Sequence, residues 1–256
     1  MLSIGGSFII LTSDYRACRR LAETEVAVEE DTEFRKVLRT AARLQEVLPD
    51  AVLVGGSAAA HHARHRVSLD DDHVLSDLRE RFDEVLDALE VTDGWVTARI
   101  RPQVLILGSL DGIETGIRQL IRRRPLEVEE VMVGDRPLRV PTLEEIFRIK
   151  AWLALRRNAT RDYLDVVALG ERLGGRDAAR VIVGMDDYYE DQIGPGGRRI
   201  ATQLAKQLAD PAPYDLSDVD LAHYRRLEGR WRDWENVVSA AQGLAAEVLD
   251  LMTERG

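Results

Sequence analysis

Val52-Leu53-Val54-Gly55-Gly56-Ser57 runs through an Ala-rich segment into His65-Arg66-Val67-Ser68-Leu69-Asp70-Asp71-Asp72-His73-Val74. An apolar run ending in Gly-Gly-Ser reads as a short buried strand, Ala51–Val54, that turns into a helix, Ser57–Ala63. The glycines permit the tight turn and let the first N–H groups of the helix face an anion. A second strand is expected over Val67–Leu75. Alternate residues of a strand share a face, so Asp70 and Asp72 point the same way, about 7 Å apart at the backbone. Asp71 and His73 point to the other face. Two convergent carboxylates behind such a turn form the donor set of a Mg²⁺ site that serves a nucleoside triphosphate.

The surrounding chain sets bounds on this reading. Its 256 residues are 45% hydrophobic and 31% charged, the balance of a globular protein. No apolar run approaches the roughly 18 residues needed to cross a membrane. Met1–Leu11 is apolar but lacks a basic flank and a long apolar centre, so it reads as an early strand or loose terminus rather than a signal. The single Cys18 excludes an internal disulfide and a Cys-based zinc site, and a cytoplasmic location is the default. A net charge of −10 argues against nonspecific coating of nucleic acid but leaves room for a local basic face. Arg122-Arg123-Arg124 and the set Arg225, Arg226, Arg230 and Arg232 read as solvated helical surface.

Periodicity predicts helices over 14–48, over Asp77–Leu89, over Ile113–Ile121 and, near the end, over Arg199–Leu208 and Asp220–Arg255. Trp95–Ile100 and Gln103–Leu110 are strand-like. Leu126–Val133 and Pro137–Val140 flank Gly134-Asp135 as a hairpin. Thr142 with Glu145 is a capping box that opens a helix. One continuous helix over 143–169 would hold Lys150 about 22 Å from Asp165, so a break is expected at Asn158-Ala159-Thr160. Gly194-Pro195-Gly196-Gly197 is a loop, and Asp210-Pro211-Ala212-Pro213 a linker. The fold class is therefore α/β (α+β): a short mixed sheet flanked by helices over 1–141, and a mainly helical region over 142–256.

The Gly-Gly-Ser and Asp-x-Asp residues together resemble the first motif of the polymerase-beta-type nucleotidyltransferases. Within that superfamily the chain is most similar to the AbiEii/AbiGii toxin-like family. That family's second pattern is matched at Lys150, Arg157 and Arg161-Asp162-Tyr163-Leu164-Asp165. The resemblance covers roughly residues 50 to 170. It implies a Mg²⁺-dependent transfer of a nucleotide from an NTP, with Asp70 and Asp72 as catalytic metal ligands. Gly55, Gly56 and Ser57 would hold the triphosphate, and Arg66 and Ser68 would brace the loop or touch phosphate. Lys150 would contact the nucleotide, joined by Arg157 and Arg161. Asp162 and Asp165 would orient Lys150, pair with the arginines or act as base, with Asp165 ranked higher for catalysis. The family implies an RNA acceptor such as tRNA, and a toxin role with a cognate antitoxin protein.

Other roles stay open. The acceptor could instead be a cationic small molecule or a protein hydroxyl, and a degenerate chain would only bind a nucleotide or a partner. Related enzymes usually carry a third carboxylate on a later strand. Gln103–Gly108 has none, which leaves Asp111 and Glu114 as candidates. His61, His62 and His65 lack a further ligand for zinc and read as a partly exposed helix end.

Overall fold

The computed structural model describes residues 32–193 and 197–254. The expectations for Met1–Leu11, for helix before residue 32, for Cys18 and for most of the Gly194–Gly197 loop lie outside the described residues.

Helix α1 (Thr32–Val47) buries Val37, Leu38, Ala41 and Leu44 along one stripe, as its periodicity predicts. The chain then forms β1 (Val52–Val54), α2 (Gly55–Ala63), β2 (Asp71–Leu75) and α3 (Phe82–Glu90). Next come β3 (Trp95–Arg101), β4 (Leu105–Leu110) and β5 (Ile113–Gln119). These strands make one mixed sheet in the order β1-β2-β5-β4-β3, in which β2 and β5 run parallel and the other neighbours antiparallel. A separate hairpin, β6 (Val128–Val133) with β7 (Arg136–Pro141), follows as expected.

Several boundaries differ from the sequence reading. The helix expected over Ile113–Ile121 is strand β5. Asp111 and Gly112, at φ 52° and 76°, make a two-residue turn that folds β5 back on β4, pairing Leu110 with Ile113. An Asp-Gly pair is a strong hairpin signal, and sheet pairing on both edges overrides the helical period. Strand β2 is shorter than Val67–Leu75, because Val67–Asp70 lies outside the ladder, with Ser68 and Asp70 lining the cleft described below. Helix α3 begins at Phe82 rather than Asp77, since Asp77 accepts from the side chain of Arg81 at 2.8 Å and the chain turns there first.

The helical region opens with α4 (Leu143–Arg157), where the Thr142 hydroxyl accepts from the Glu145 N–H at 3.3 Å. The expected break is present. Asn158 adopts φ 51° and closes α4 through its N–H to the Ala154 carbonyl. Helix α5 (Thr160–Leu173) then starts with the Asp215 carboxylate accepting from both the Thr160 N–H and hydroxyl at 2.8 Å. Helices α6 (Gly175–Val183), α7 (Met185–Tyr188), α8 (Ile200–Ala209) and α9 (Trp234–Glu254) complete the described chain. The helix expected from Asp220 starts only at Trp234. Before it lie two short 3₁₀ turns, the second of which buries Trp231.

Buried apolar side chains form two clusters. One sits between α1, the sheet and α3 and contains Leu44, Leu75, Phe82, Ile106 and Ile117. The larger extends across residue 141, joining Leu138 and Val140 to Phe147, Leu164 and Leu244.

Candidate active site

Gly55 turns the chain from β1 into α2 at φ +71°. A β-carbon there would lie 3.0 Å from the Asp72 Cβ. Across the sheet Asp72 pairs with Gly116 on β5, where a β-carbon would meet the Asp72 Oδ1 at 2.6 Å. Asp72 therefore occupies a slot between two glycines on separate elements. The guanidinium of Arg118, two residues along β5 on the same face, donates to Asp72 Oδ1 at 3.4 Å. Asp70 stands just ahead of β2. Its carboxylate accepts from the Ser68 hydroxyl, and its carbonyl accepts from the Ser57 hydroxyl at 2.5 Å. Ser57 is fully buried, so its side chain braces the Asp70 loop and does not reach into the cleft.

Opposite these carboxylates, α4 and α5 present a buried charge cluster. Asp165 has no solvent exposure and accepts from His65 Nε2 at 2.7 Å, Arg66 Nε at 2.8 Å and Lys150 Nζ at 2.7 Å. Burial alone would raise the pKa of Asp165. The charges of Arg66 and Lys150, with the His65 hydrogen bond, outweigh it and hold the carboxyl well below its ordinary value. A carboxylate so held is a poor proton acceptor, which leaves it the task of positioning Lys150 and Arg66. His65, expected on a partly exposed helix end, is wholly buried because it serves this cluster.

A cleft of about 320 Å³ lies between the two sides. Gly55, Gly56, Ser68, Asp70 and Asp72 line one wall, and Arg66, Lys150, Arg157 and Arg161 the other. Leu120, Leu126, Ile149 and Leu153 add an apolar lining. The loop bearing Arg66 is tied to the C-terminal segment by two backbone hydrogen bonds. Val67 N–H donates to Arg225 O at 2.9 Å, and Glu228 N–H donates to His65 O at 2.7 Å.

The sequence reading missed Arg118, Arg122 and Tyr224, all of which line this cleft. Arg118 was hidden when β5 was read as helix; a period of two would have put it on the face of Asp72. Arg122, expected on a solvated surface, is 4% exposed and pairs with Glu145 at 2.6 Å. Tyr224 belongs to a segment without motifs.

Other expected residues lie elsewhere. Asp162, placed by the resemblance beside the nucleotide, is 1% exposed with neither carboxylate oxygen hydrogen-bonded, and burial raises its pKa. It is in the first turn of α5, behind the cleft wall. Asp71 and His73 face the opposite side of the sheet, buried, with His73 Nδ1 2.8 Å from Asp71 Oδ1. Asp111 pairs with Arg43 at the β4–β5 turn. Neither Asp111 nor Glu114 lines the cleft, where Asp70 and Asp72 are the only carboxylates among the described residues. Among the described residues no three His, Cys, Asp or Glu side chains converge as a metal site. Mg²⁺ commonly takes one or two carboxylates, completing its shell with water and substrate phosphate. Asp70 and Asp72 fit one such ion.

No protein-family model matches the chain. The chain is 32% identical over 239 residues to the heme uptake protein MmpL11 of Mycobacterium tuberculosis and to the probable transport protein MmpL11 of Mycobacterium bovis. It is 28% identical over 234 residues to the mycolic acid-containing lipids exporter MmpL11 of Mycolicibacterium smegmatis. These matches take in 83% to 86% of this chain, and the chain spans 22% of the length of those relatives. Among the described residues no helix is long and apolar enough to cross a membrane. Of solved structures, a putative nucleotidyltransferase from H. pylori superposes with a TM-score of 0.50 at 16% identity, over 89% of this chain and 98% of that one. ANT(2")-Ia in complex with adenylyl-2"-tobramycin gives a TM-score of 0.46 at 13% identity, over 60% of this chain and 98% of that one. A mixed sheet flanked by helices, followed by a helical region and matched to the H. pylori structure over nearly the whole of both chains, is a nucleotidyltransferase-like fold.

Proposed function

We propose that this chain transfers a nucleotide from an NTP to an acceptor hydroxyl, releasing pyrophosphate. One juxtaposition carries the reading. A single cleft holds Asp70 and Asp72 beside the N-terminal turn of α2, facing Arg66, Lys150, Arg157 and Arg161. Free N–H groups at the start of α2 face the triphosphate, and Lys150 and Arg66 add positive charge against it. The buried Asp165 fixes both cations, so little reorganisation is needed when phosphate arrives. Mg²⁺, when held by Asp70 and Asp72, would neutralise charge developing on the phosphate oxygens. The acceptor oxygen attacks the α-phosphorus, and the bond to the pyrophosphate oxygen breaks.

The walls favour an anionic acceptor. Among the described residues six cationic side chains line the cleft, Arg66, Arg118, Arg122, Lys150, Arg157 and Arg161, against two carboxylates. Of the six, Arg157 and Arg161 stand exposed, while Arg66 and Lys150 pair with Asp165 and Arg122 with Glu145. A cationic antibiotic would be repelled there, whereas RNA would be drawn in. The resemblance to the AbiEii/AbiGii toxin-like family supports tRNA as that acceptor. It equally supports a growth-arresting role, relieved by an antitoxin. Induced expression of wild type and of an Asp70→Ala/Asp72→Ala variant tests the last point, since arrest by both would exclude it.

The biochemical test incubates the purified protein with Mg²⁺, each α-³²P-NTP in turn and total tRNA, beside the same double variant. Label on RNA from the wild type alone supports the reading and names the donor base. Absence of label on RNA, protein and small acceptors, with nucleotide binding intact, overturns it in favour of a binding role.

A further inference from the structure

Gly55, Gly116 and Arg118 lie close about the Asp72 side chain. The glycines shape its slot. With the Asp72 Oδ1 2.6 Å from where a Gly116 β-carbon would stand, any side chain at that strand position would force the Asp72 carboxylate to shift. The next side chain on the same face, at 118, is a cation that already donates to Asp72 Oδ1. Arg118 is 44% exposed at its side chain and Asp72 27%. The contact is thus an open, low-energy one that another ligand can displace.

We propose that Arg118 is a counter-ion that occupies Asp72 until the donor nucleotide arrives, so that metal and triphosphate load together. The inference rests on the nucleotidyl-transfer reading and adds to it a residue that the Asp-x-Asp and Lys-Arg motifs do not contain. A divalent cation alone has to displace the guanidinium from Asp72 and settle beside its positive charge. A cation arriving on a triphosphate brings anionic oxygens to which Arg118 can transfer. Arg118 then keeps a partner in both states, with Asp72 before binding and phosphate after it. It opposes free metal and assists the metal–nucleotide complex.

The experiment measures Mn²⁺ binding directly, by the electron paramagnetic resonance signal of free Mn²⁺, with and without a non-hydrolysable NTP analogue. Wild type, Arg118→Gln, Arg118→Lys and Asp70→Asn/Asp72→Asn are compared. Arg118→Gln is expected to bind Mn²⁺ alone about fivefold more tightly than wild type, the upper range for an open ion pair. It should bind the Mn²⁺–nucleotide complex more weakly than wild type. Arg118→Lys, which keeps the charge, should remain near wild type in both conditions. Equal Mn²⁺ affinity in wild type and Arg118→Gln, with binding still abolished by Asp70→Asn/Asp72→Asn, overturns the counter-ion role while leaving the transfer reading intact. Mn²⁺ binding that survives the double Asp change overturns both. Circular dichroism of each variant confirms folding, which the exposure of Arg118 leads us to expect.

Discussion

Lys150 Nζ lies 2.7 Å from Asp165 Oδ2, with both side chains withdrawn from solvent. This pair joins α4 to α5 and turns the only lysine of that hairpin toward the cleft. It also explains why the two helices must be broken at Asn158. In a single rod the lysine and the carboxylate would sit about 22 Å apart.

Removing that carboxylate should be costly. Asp165→Asn leaves Arg66 and Lys150 buried without their counter-charge, and about 3 to 5 kcal/mol of stability should be lost at neutral pH. The pH dependence has a definite sign. The folded pKa of Asp165 is depressed below the ordinary 3.8, so its contribution is complete above that value and is lost as pH falls toward the folded pKa. Urea denaturation of both proteins should show a wide gap near pH 7 that narrows below about pH 4.

Asp162 should behave in the opposite way. Its folded pKa is raised by burial, so ionisation costs stability, and its favourable contribution is present at low pH and lost as pH rises through the folded value. Neither of its oxygens has a hydrogen-bond partner. Asp162→Asn should raise stability near neutrality by about 1 kcal/mol, the lower end of the penalty for an unsatisfied buried group. The gain is reduced by lost attraction to Lys150. Thermal melts at two pH values check this, and a fall in stability comparable to that of Asp165→Asn would refute it.

A methyl group at Gly56 should disable the loop that carries Asp70. The added carbon would stand 2.2 Å from Ser68 Oγ and 2.9 Å from Arg66 Nη2. Ser68 would have to move, releasing the Asp70 carboxylate. Gly56→Ala should cost about 1 to 3 kcal/mol of stability, together with at least a tenfold loss of nucleotide affinity, measured by isothermal titration.

Arg157 and Arg161 are exposed at the cleft's edge, where they can meet acceptor phosphates without supporting the core. The Arg157→Gln/Arg161→Gln protein should melt at the wild-type temperature. Its KM for RNA should rise several-fold, and the slope of log affinity against log salt should fall by about 1 to 2. An unchanged slope would remove these residues from the acceptor path.

Much of the site could be read from local chemistry. Gly-Gly-Ser, the Asp-x-Asp spacing, the Thr142 cap and the break at Asn158 are each encoded within a few residues. The sheet was harder to read. Strand β5 carries a helical pattern of apolar residues, and only its pairing with β2 and β4 makes it extended. Missing that strand concealed Arg118. The burial of His65 and Asp165 was likewise hidden, because each depends on residues a hundred positions away. Sequence spacing placed Asp162 and Asp165 together, but it could not show that packing sets one against Arg66, Lys150 and His65 and leaves the other without a hydrogen-bond partner.

The two backbone hydrogen bonds that tie His65 and Val67 to Glu228 and Arg225 make the motif-bearing loop dependent on a segment that has no motif of its own. A polypeptide ended at Ala209 would retain every residue named in the transfer reaction and lack the support for one wall of the cleft. Broken between Ala209 and Asp220, two complementary fragments should regain nucleotide affinity only upon reassociation. The cleft would then act as a sensor of its own completeness, and intact nucleotide binding would certify that the segment around Arg225 and Glu228 has docked.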